Sequence, residues 1–235
     1  ASFRWPLVEV AEVKRLLRYA ECRVYDVAVC EFTGVVRTCN ERLHGRPTLS
    51  VDTRTSLIPG VHACLDARLV LPLRPQWGRI YGFPPCTHQT LSDTTARLSK
   101  QMDHRAFWGI LFFLWIWCVA CQMMMLEQPD TIIPDYFQAP SQRFRTSELG
   151  CVDDKQINLY ERRRCRLRLT HLPGGRSGHG RFHDFRNADE RDRHRSSWQR
   201  FPELVSAVVD APADEASSVE TPSFEDVREA FAVAW

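Results

Sequence analysis

Gly78-Arg79-Ile80-Tyr81-Gly82-Phe83-Pro84-Pro85-Cys86-Thr87-His88-Gln89-Thr90-Leu91 is the stretch on which the reading of this chain depends. Its apolar run, Ile80 to Phe83, stops at two prolines. A proline donates no ladder hydrogen bond and fixes φ, so the pair ends a strand and makes a stiff turn. The side chain delivered by that turn is Cys86. Open α/β sheets place ligands and chemistry at the carboxyl ends of their strands, which is where such a cysteine would sit. A Pro-Pro turn with an incidental cysteine explains the same residues, so the flanking segments have to decide.

Upstream, Val24-Tyr25-Asp26-Val27-Ala28-Val29-Cys30 is a β-rich run of strand length. Glu31-Phe32-Thr33-Gly34 follows, and Val35 to Leu43 reads as a helix. Strand, glycine turn and helix make the first half of a βαβ unit, and backbone N–H groups at such a helix start meet nucleotide-like ligands. The next strand, Pro47 to Val51, ends at Asp52. An acid about 20 residues beyond the glycine turn suits a ribose diol; a solvated loop aspartate fits the same spacing. Residues 53–77 read as irregular, with a turn at Pro59-Gly60 and Asp66 as a second acidic candidate.

Downstream, Ser92 to Asp103 is polar. From Asp103 to Ala120 the pattern is a helix apolar nearly all round, which demands cover on most sides. Gln122 to Leu126 then reads as a strand ending in Glu127-Gln128-Pro129. Its carboxylate would share a sheet edge with Cys86 if the two strands are parallel neighbours. Positions 106–126 carry no charge and are long enough to span a bilayer. Their three tryptophans lie within the stretch instead of forming belts at its ends, and Glu127 follows directly. A buried helix running into a buried strand is therefore preferred. Cys118 and Cys121 form a CxxC without a second pair at zinc spacing, and His179 and His183 lack further ligands, so no metal is expected.

At 235 residues and 44% hydrophobic, the chain can build one domain of ordinary size with an appendage. We read 1–209 as that domain and 210–235 as an acidic linker and a short helix. A net charge of +2 excludes a global positive field, so contact with nucleic acid must come from local patches. Nine cysteines, an odd number, read as reduced thiols instead of a disulfide framework, which suits a cytoplasmic setting. The opening residues lack the basic-then-apolar pattern of a signal peptide, and residues 7–20 read as a surface helix. Beyond Pro140 the chain turns basic, with Arg143, Arg145, Lys155, Arg162, Arg163, Arg164, Arg166 and Arg168. Alternation at 165–169 suggests a strand with one charged face. Residues 171–200 form a basic loop segment that suits phosphate contact; arginines solvated beside nearby acids are the alternative. Residues 224–235 could form an amphipathic helix for a protein partner.

Together these segments resemble the DNA cytosine-5 methyltransferases, most nearly their compact, phage-type members, over about residues 24–209. Gly82-Phe83-Pro84-Pro85-Cys86 is similar to the nucleophile motif and is the most specific match. Cys30 to Val36 resembles the S-adenosylmethionine loop. Asp52 falls at the second acidic ligand of that family, and Asp66 is similar to the third. Glu127-Gln128-Pro129 resembles a Glu-Asn-Val or Glu-Asn-Pro motif, with Gln in place of Asn. Leu149-Gly150 through Lys155 to Leu159-Tyr160, and Arg200 to Leu204, resemble later segments of the compact members. The cofactor loop has one glycine where full-length enzymes have several. The Gln-x-Arg-x-Arg motif is not recognisable, and no segment is long enough for an ordinary target-recognition domain.

The resemblance implies a Rossmann-like, S-adenosylmethionine-dependent methyltransferase fold: an α/β chain with a mostly parallel sheet flanked by helices. It implies S-adenosylmethionine held by Glu31, Phe32, Thr33, Gly34, Asp52, Asp66 and Pro84. It also implies a DNA substrate, and a host cytoplasm if the protein is phage-encoded; the concentration of arginine beyond residue 140 puts Arg162, Arg163 and Arg164 forward as its phosphate contacts. Carbon 6 of cytosine is a poor electrophile, and attack by a thiolate makes carbon 5 nucleophilic enough to take a methyl group. Cysteine can attack and leave again, which is the expected role of Cys86. A buried carboxyl with a raised pKa can share the proton at N3, the role expected of Glu127. Lys155 near O2 would add stabilisation. Two other classes stay open: a binding or scaffold protein that keeps the fold without turnover, and a membrane-anchored protein through 106–126.

Overall fold

A computed structural model describes residues 26–91, 96–145 and 156–162. Its centre is a seven-stranded sheet. The strands are β1 (Asp26–Val29), β2 (Thr48–Asp52), β3 (His62–Cys64), β4 (Trp77–Gly82), β5 (Cys121–Gln128), β6 (Gln142–Arg145) and β7 (Gln156–Arg162). Their order across the sheet is β3-β2-β1-β4-β5-β7-β6. The four pairings from β3 to β5 are parallel; β5 with β7 and β7 with β6 are antiparallel. Strands β1 and β2 are buried at every position, as expected where both faces of a parallel strand are covered.

Four helices are described: α1 (Val35–His44), α2 (Ala67–Val70), α3 (Ala96–Gln101) and α4 (His104–Trp117). Helix α4 starts at Asp103, whose carboxylate accepts the Arg105 amide at 2.9 Å, and it buries Ile110, Phe113, Leu114, Ile116 and Trp117. The chain then turns at Cys118 to Ala120 and enters β5. The apolar stretch 106–126 is thus a helix followed by a buried strand. Among the described residues no helix is long and apolar enough to cross a membrane. Aromatic rings join α4 to its neighbours: Phe113 meets Tyr160 on β7 edge-on at 5.0 Å, and Trp117 meets Phe137 in the segment after β5 at 5.3 Å. Such pairs add about 0.5–1.5 kcal/mol each beyond their burial.

The amino edge of the sheet is fixed by Asp26, which is wholly buried. Its carboxylate accepts from Asn40 Nδ2 at 2.8 Å, Arg46 Nε at 2.6 Å, Arg46 Nη2 at 2.8 Å and the Arg79 amide at 2.8 Å. A buried carboxylate needs this many donors to offset its lost hydration.

The region 53–77, read from sequence as irregular, holds β3, α2 and a 3₁₀ turn at Leu71–Leu73. A three-residue edge strand is too short to show a period. The polar stretch 92–103 contains α3, and 142–145 and 156–162 pair as strands. Residues 7–20, 165–169, 171–200 and 210–235 lie outside the described residues.

Candidate active site

The register of the sheet gathers the candidate residues. Val29 on β1 lies opposite Gly82 on β4, and Gly82 lies opposite Leu126 on β5. On the other side Val29 pairs with Val51, and Asp52 with Cys64. Neighbouring parallel strands therefore end level, and Glu31, Asp52, Asp66, Cys86 and Glu127 stand at or just beyond those ends. The order of strands reverses between β1 and β4. In open α/β sheets such a reversal is the point at which ligands bind, beyond the carboxyl ends of the strands.

The Cys86 loop is held through its carbonyls. Pro84 accepts from Gln128 Nε2 at 2.7 Å, and Pro85 from Gln89 Nε2 at 3.0 Å. The carbonyl of Cys86 accepts the Gln89 amide at 2.9 Å, the Thr90 amide at 3.0 Å and Thr90 Oγ1 at 2.8 Å. Gln128 follows Glu127 on β5, so one dipeptide presents a buried carboxylate and ties the cysteine loop to its own strand. Asn158 on β7 in turn donates to the Pro129 carbonyl at 2.9 Å. The Cys86 thiol is half-buried and forms no disulfide.

The loop after β1 is built around Glu31, which is wholly buried. Its Oε1 accepts from the Gly34 amide at 2.8 Å and from Thr33 Oγ1, closing the turn at the start of α1. Burial pushes the Glu31 carboxyl above its ordinary range, against the pull of those hydrogen bonds and of Arg37. Gly34 has φ 79°, and a Cβ there would lie 2.8 Å from Arg37 Nη2 and 2.9 Å from Ser56 Oγ. Cys30, just before the loop, is also left-handed at φ 57°. Its thiol is pushed up by burial first, then by the charges of Asp52 and Asp66, which places both acids close to this loop.

Each acid already has a cation. Asp52 Oδ1 accepts the Arg54 amide at 2.9 Å and Arg54 Nε at 3.2 Å, and the Arg54 guanidinium lies 3.6 Å over the Phe32 ring. Both described bonds fall on Oδ1, which leaves Oδ2 for a ligand hydroxyl. Asp66 caps α2 and takes Arg68 on both oxygens, at 3.0 and 2.6 Å. Burial raises its carboxyl, but the Arg68 hydrogen bonds outweigh that and hold it below the usual carboxylate range.

Sequence reasoning missed Arg37. This wholly buried guanidinium donates to Ser50 Oγ and to the carbonyls of Ile58, Pro59 and Val61 at 2.6–3.0 Å. It braces the loop 53–61 against α1, and that loop returns the amides of Leu57 and Ile58 to the carbonyls of Phe32 and Thr33 at 2.9 and 3.1 Å. Nothing in the sequence separates Arg37 from a surface arginine. Arg162 is the clearest correction. Expected against phosphate, it is buried on β7 and donates to the carbonyls of Trp117 and Val119 and to Cys121 Sγ. An arginine on a covered strand must spend its donors inside, and the turn after α4 supplies the acceptors. Lys155, Arg163 and Arg164 lie outside the described residues. Among the described residues no group of three or more His, Cys, Asp or Glu side chains is placed to hold a metal ion.

No family model and no curated protein matches the chain. Among solved structures it is weakly similar to a prophage-encoded protein of E. coli assigned as a DNA modification methyltransferase, with TM-score 0.39 and 12% identity. The match covers 59% of this chain and 46% of that one, so the chain spans less than half the length of that protein.

Proposed function

We propose that the chain is a methyltransferase acting at carbon 5 of cytosine in DNA, with Cys86 as nucleophile and S-adenosylmethionine as donor. The observation that carries the reading is the pairing of β4 with β5. The two strands end level, so the Pro-Pro turn that leads to Cys86 and the buried carboxylate of Glu127 share one sheet edge, with Gln128 bonded to the Pro84 carbonyl at 2.7 Å. The motif resemblance supports the same assignment residue by residue.

The residues around the first loop fit the donor molecule. Asp52 keeps Oδ2 for a ribose hydroxyl, and Asp66 stands nearby as a second acid. Glu31 Oε2 is buried without a hydrogen-bond partner, so the loop also has an acceptor in reserve. S-adenosylmethionine, when bound, supplies an electrophilic methyl group. Cys86 as thiolate adds to carbon 6 of the extruded base, and Glu127 holds the proton at N3 as the ring gains charge. Once carbon 5 carries the methyl, water takes its proton, the carbon 5–carbon 6 double bond re-forms, and Cys86 leaves as thiolate. Lys155 near O2 completes the proposed set, and Arg163 and Arg164 remain as candidate phosphate contacts.

The cation on each acid favours a second reading, a binding protein without turnover. Mass spectrometry of nucleosides from DNA incubated with protein and donor tests the first, with 5-methylcytosine expected and its absence counting against it. Cys86→Ser should abolish the covalent adduct with 5-fluorocytosine DNA; a serine variant that still traps the base would move the nucleophile elsewhere. Calorimetry should show donor binding weakened about tenfold in Asp52→Ala, the cost of one hydrogen bond to a charged group. Equal affinity in that variant would shift the ribose contact to another residue.

A further inference from the structure

We infer that Gln89 and Gln128 are positioning residues that preset the direction of the Cys86 thiol, and that Gly109 is the notch that admits Gln89. The inference rests on the reading of Cys86 as nucleophile. A residue has two soft backbone dihedrals, φ and ψ. In Pro84 and Pro85 the rings fix φ. A hydrogen bond on each carbonyl then fixes the peptide plane that follows, which is ψ. Gln128 holds the first carbonyl and Gln89 the second. Because a proline carbonyl faces each amide, nitrogen is the atom both glutamines must present. Each is at most 1% exposed, and the Oε1 of each is buried without a hydrogen-bond partner. Their side chains are thus committed through Nε2 to this loop.

The two anchors come from separate elements, Gln128 from the end of β5 and Gln89 from the turn after the cysteine. Gln89 reaches its carbonyl only because α4 has no side chain at position 109. A Cβ there would lie 2.2 Å from Gln89 Nε2 and 3.1 Å from Cδ. The amide is the far end of a flexible side chain, so the helix tolerates the substitution by displacing the amide from the Pro85 carbonyl. A helix position outside the cysteine loop thereby controls the bearing of the thiol.

Iodoacetamide labelling of the full chain across pH, resolved by peptide mass spectrometry, reads Cys86 without DNA or donor. Gln89→Leu, Gln128→Leu and Gly109→Ala should each change the Cys86 labelling rate several-fold and move its pH midpoint. Cys64, an exposed thiol on β3, should keep its wild-type rate and serves as the control for general loosening. In the 5-fluorocytosine adduct assay the same variants should lose at least about tenfold in rate, the scale expected for a misplaced reacting group. Gly109→Ala puts the best helix former into a helix, so it stays informative if a leucine variant fails to fold. Unchanged Cys86 labelling in folded Gly109→Ala, or equal changes at Cys64, would overturn the inference. Altered Cys86 labelling in a protein whose wild type never traps the base would uphold the positioning role and remove the cytosine reading.

Discussion

Two residues in the turn after β1 have a left-handed φ, and Cys30 is the one that is not glycine. An L side chain in that region costs roughly 1–2 kcal/mol, and strain of this kind collects at ligand sites. Gly34 avoids the strain but has no room to spare. Gly34→Ala is expected to destabilise the fold by about 1–2 kcal/mol from backbone conformation alone, with more from the contact to Arg37; urea unfolding measures it. Asp52 and Cys86 were legible as candidates because each stands at a break between an apolar run and a polar one, whereas Asp66 was only an acid in a region read as irregular. Their partners were not legible. Asp52, Asp66 and Asp103 each accept the amide and Nε of the arginine two residues on. That arrangement depends on backbone turns that an Asp-x-Arg spelling does not specify.

Strand β7 shows what an element adds. Its Glu161 is pushed up to about 7 from the usual 4.5, chiefly by burial, against a 3.0 Å hydrogen bond from Gln142 on β6. The folded chain therefore holds a proton on Glu161 that the unfolded chain has released above 4.5. The associated stability is fully present below pH 4.5 and is lost as pH rises through about 7. Glu161→Gln keeps the acceptor for Gln142 and removes the titration. Its unfolding free energy should vary less between pH 5 and pH 8 than that of wild type, and it should be the more stable protein at pH 8. On the same strand Arg162→Ala would strand the carbonyls of Trp117 and Val119, at about 1–3 kcal/mol for each buried group. Helix α4 was legible because its apolar character has no polar face to hide. Strands β6 and β7 were not, because their residues sit among arginines and polar side chains whose burial is decided by the strands they meet.

Across the whole molecule, the parallel order β3-β2-β1-β4-β5 brings positions nearly a hundred residues apart to one edge, which no local pattern can announce. The sequence could say that Cys86 and Glu127 would share a sheet edge only if their strands were parallel neighbours, and the pairing of Gly82 with Leu126 meets that condition. The proposed DNA contact belongs to this scale. Arg163→Ala with Arg164→Ala should lower DNA affinity and flatten its salt dependence by about one log–log unit per lost phosphate contact. Unchanged slope and affinity would take the basic segment out of the DNA site. Arg37, inserted between α1 and the loop 53–61, has one more consequence. Because it braces that loop while the loop's own amides close on Phe32 and Thr33, the two loops should open to solvent in a single event. In deuterium exchange the amides of Gly34, Leu57 and Ile58 should share one protection factor. In Arg37→Ala they should separate into independent clocks.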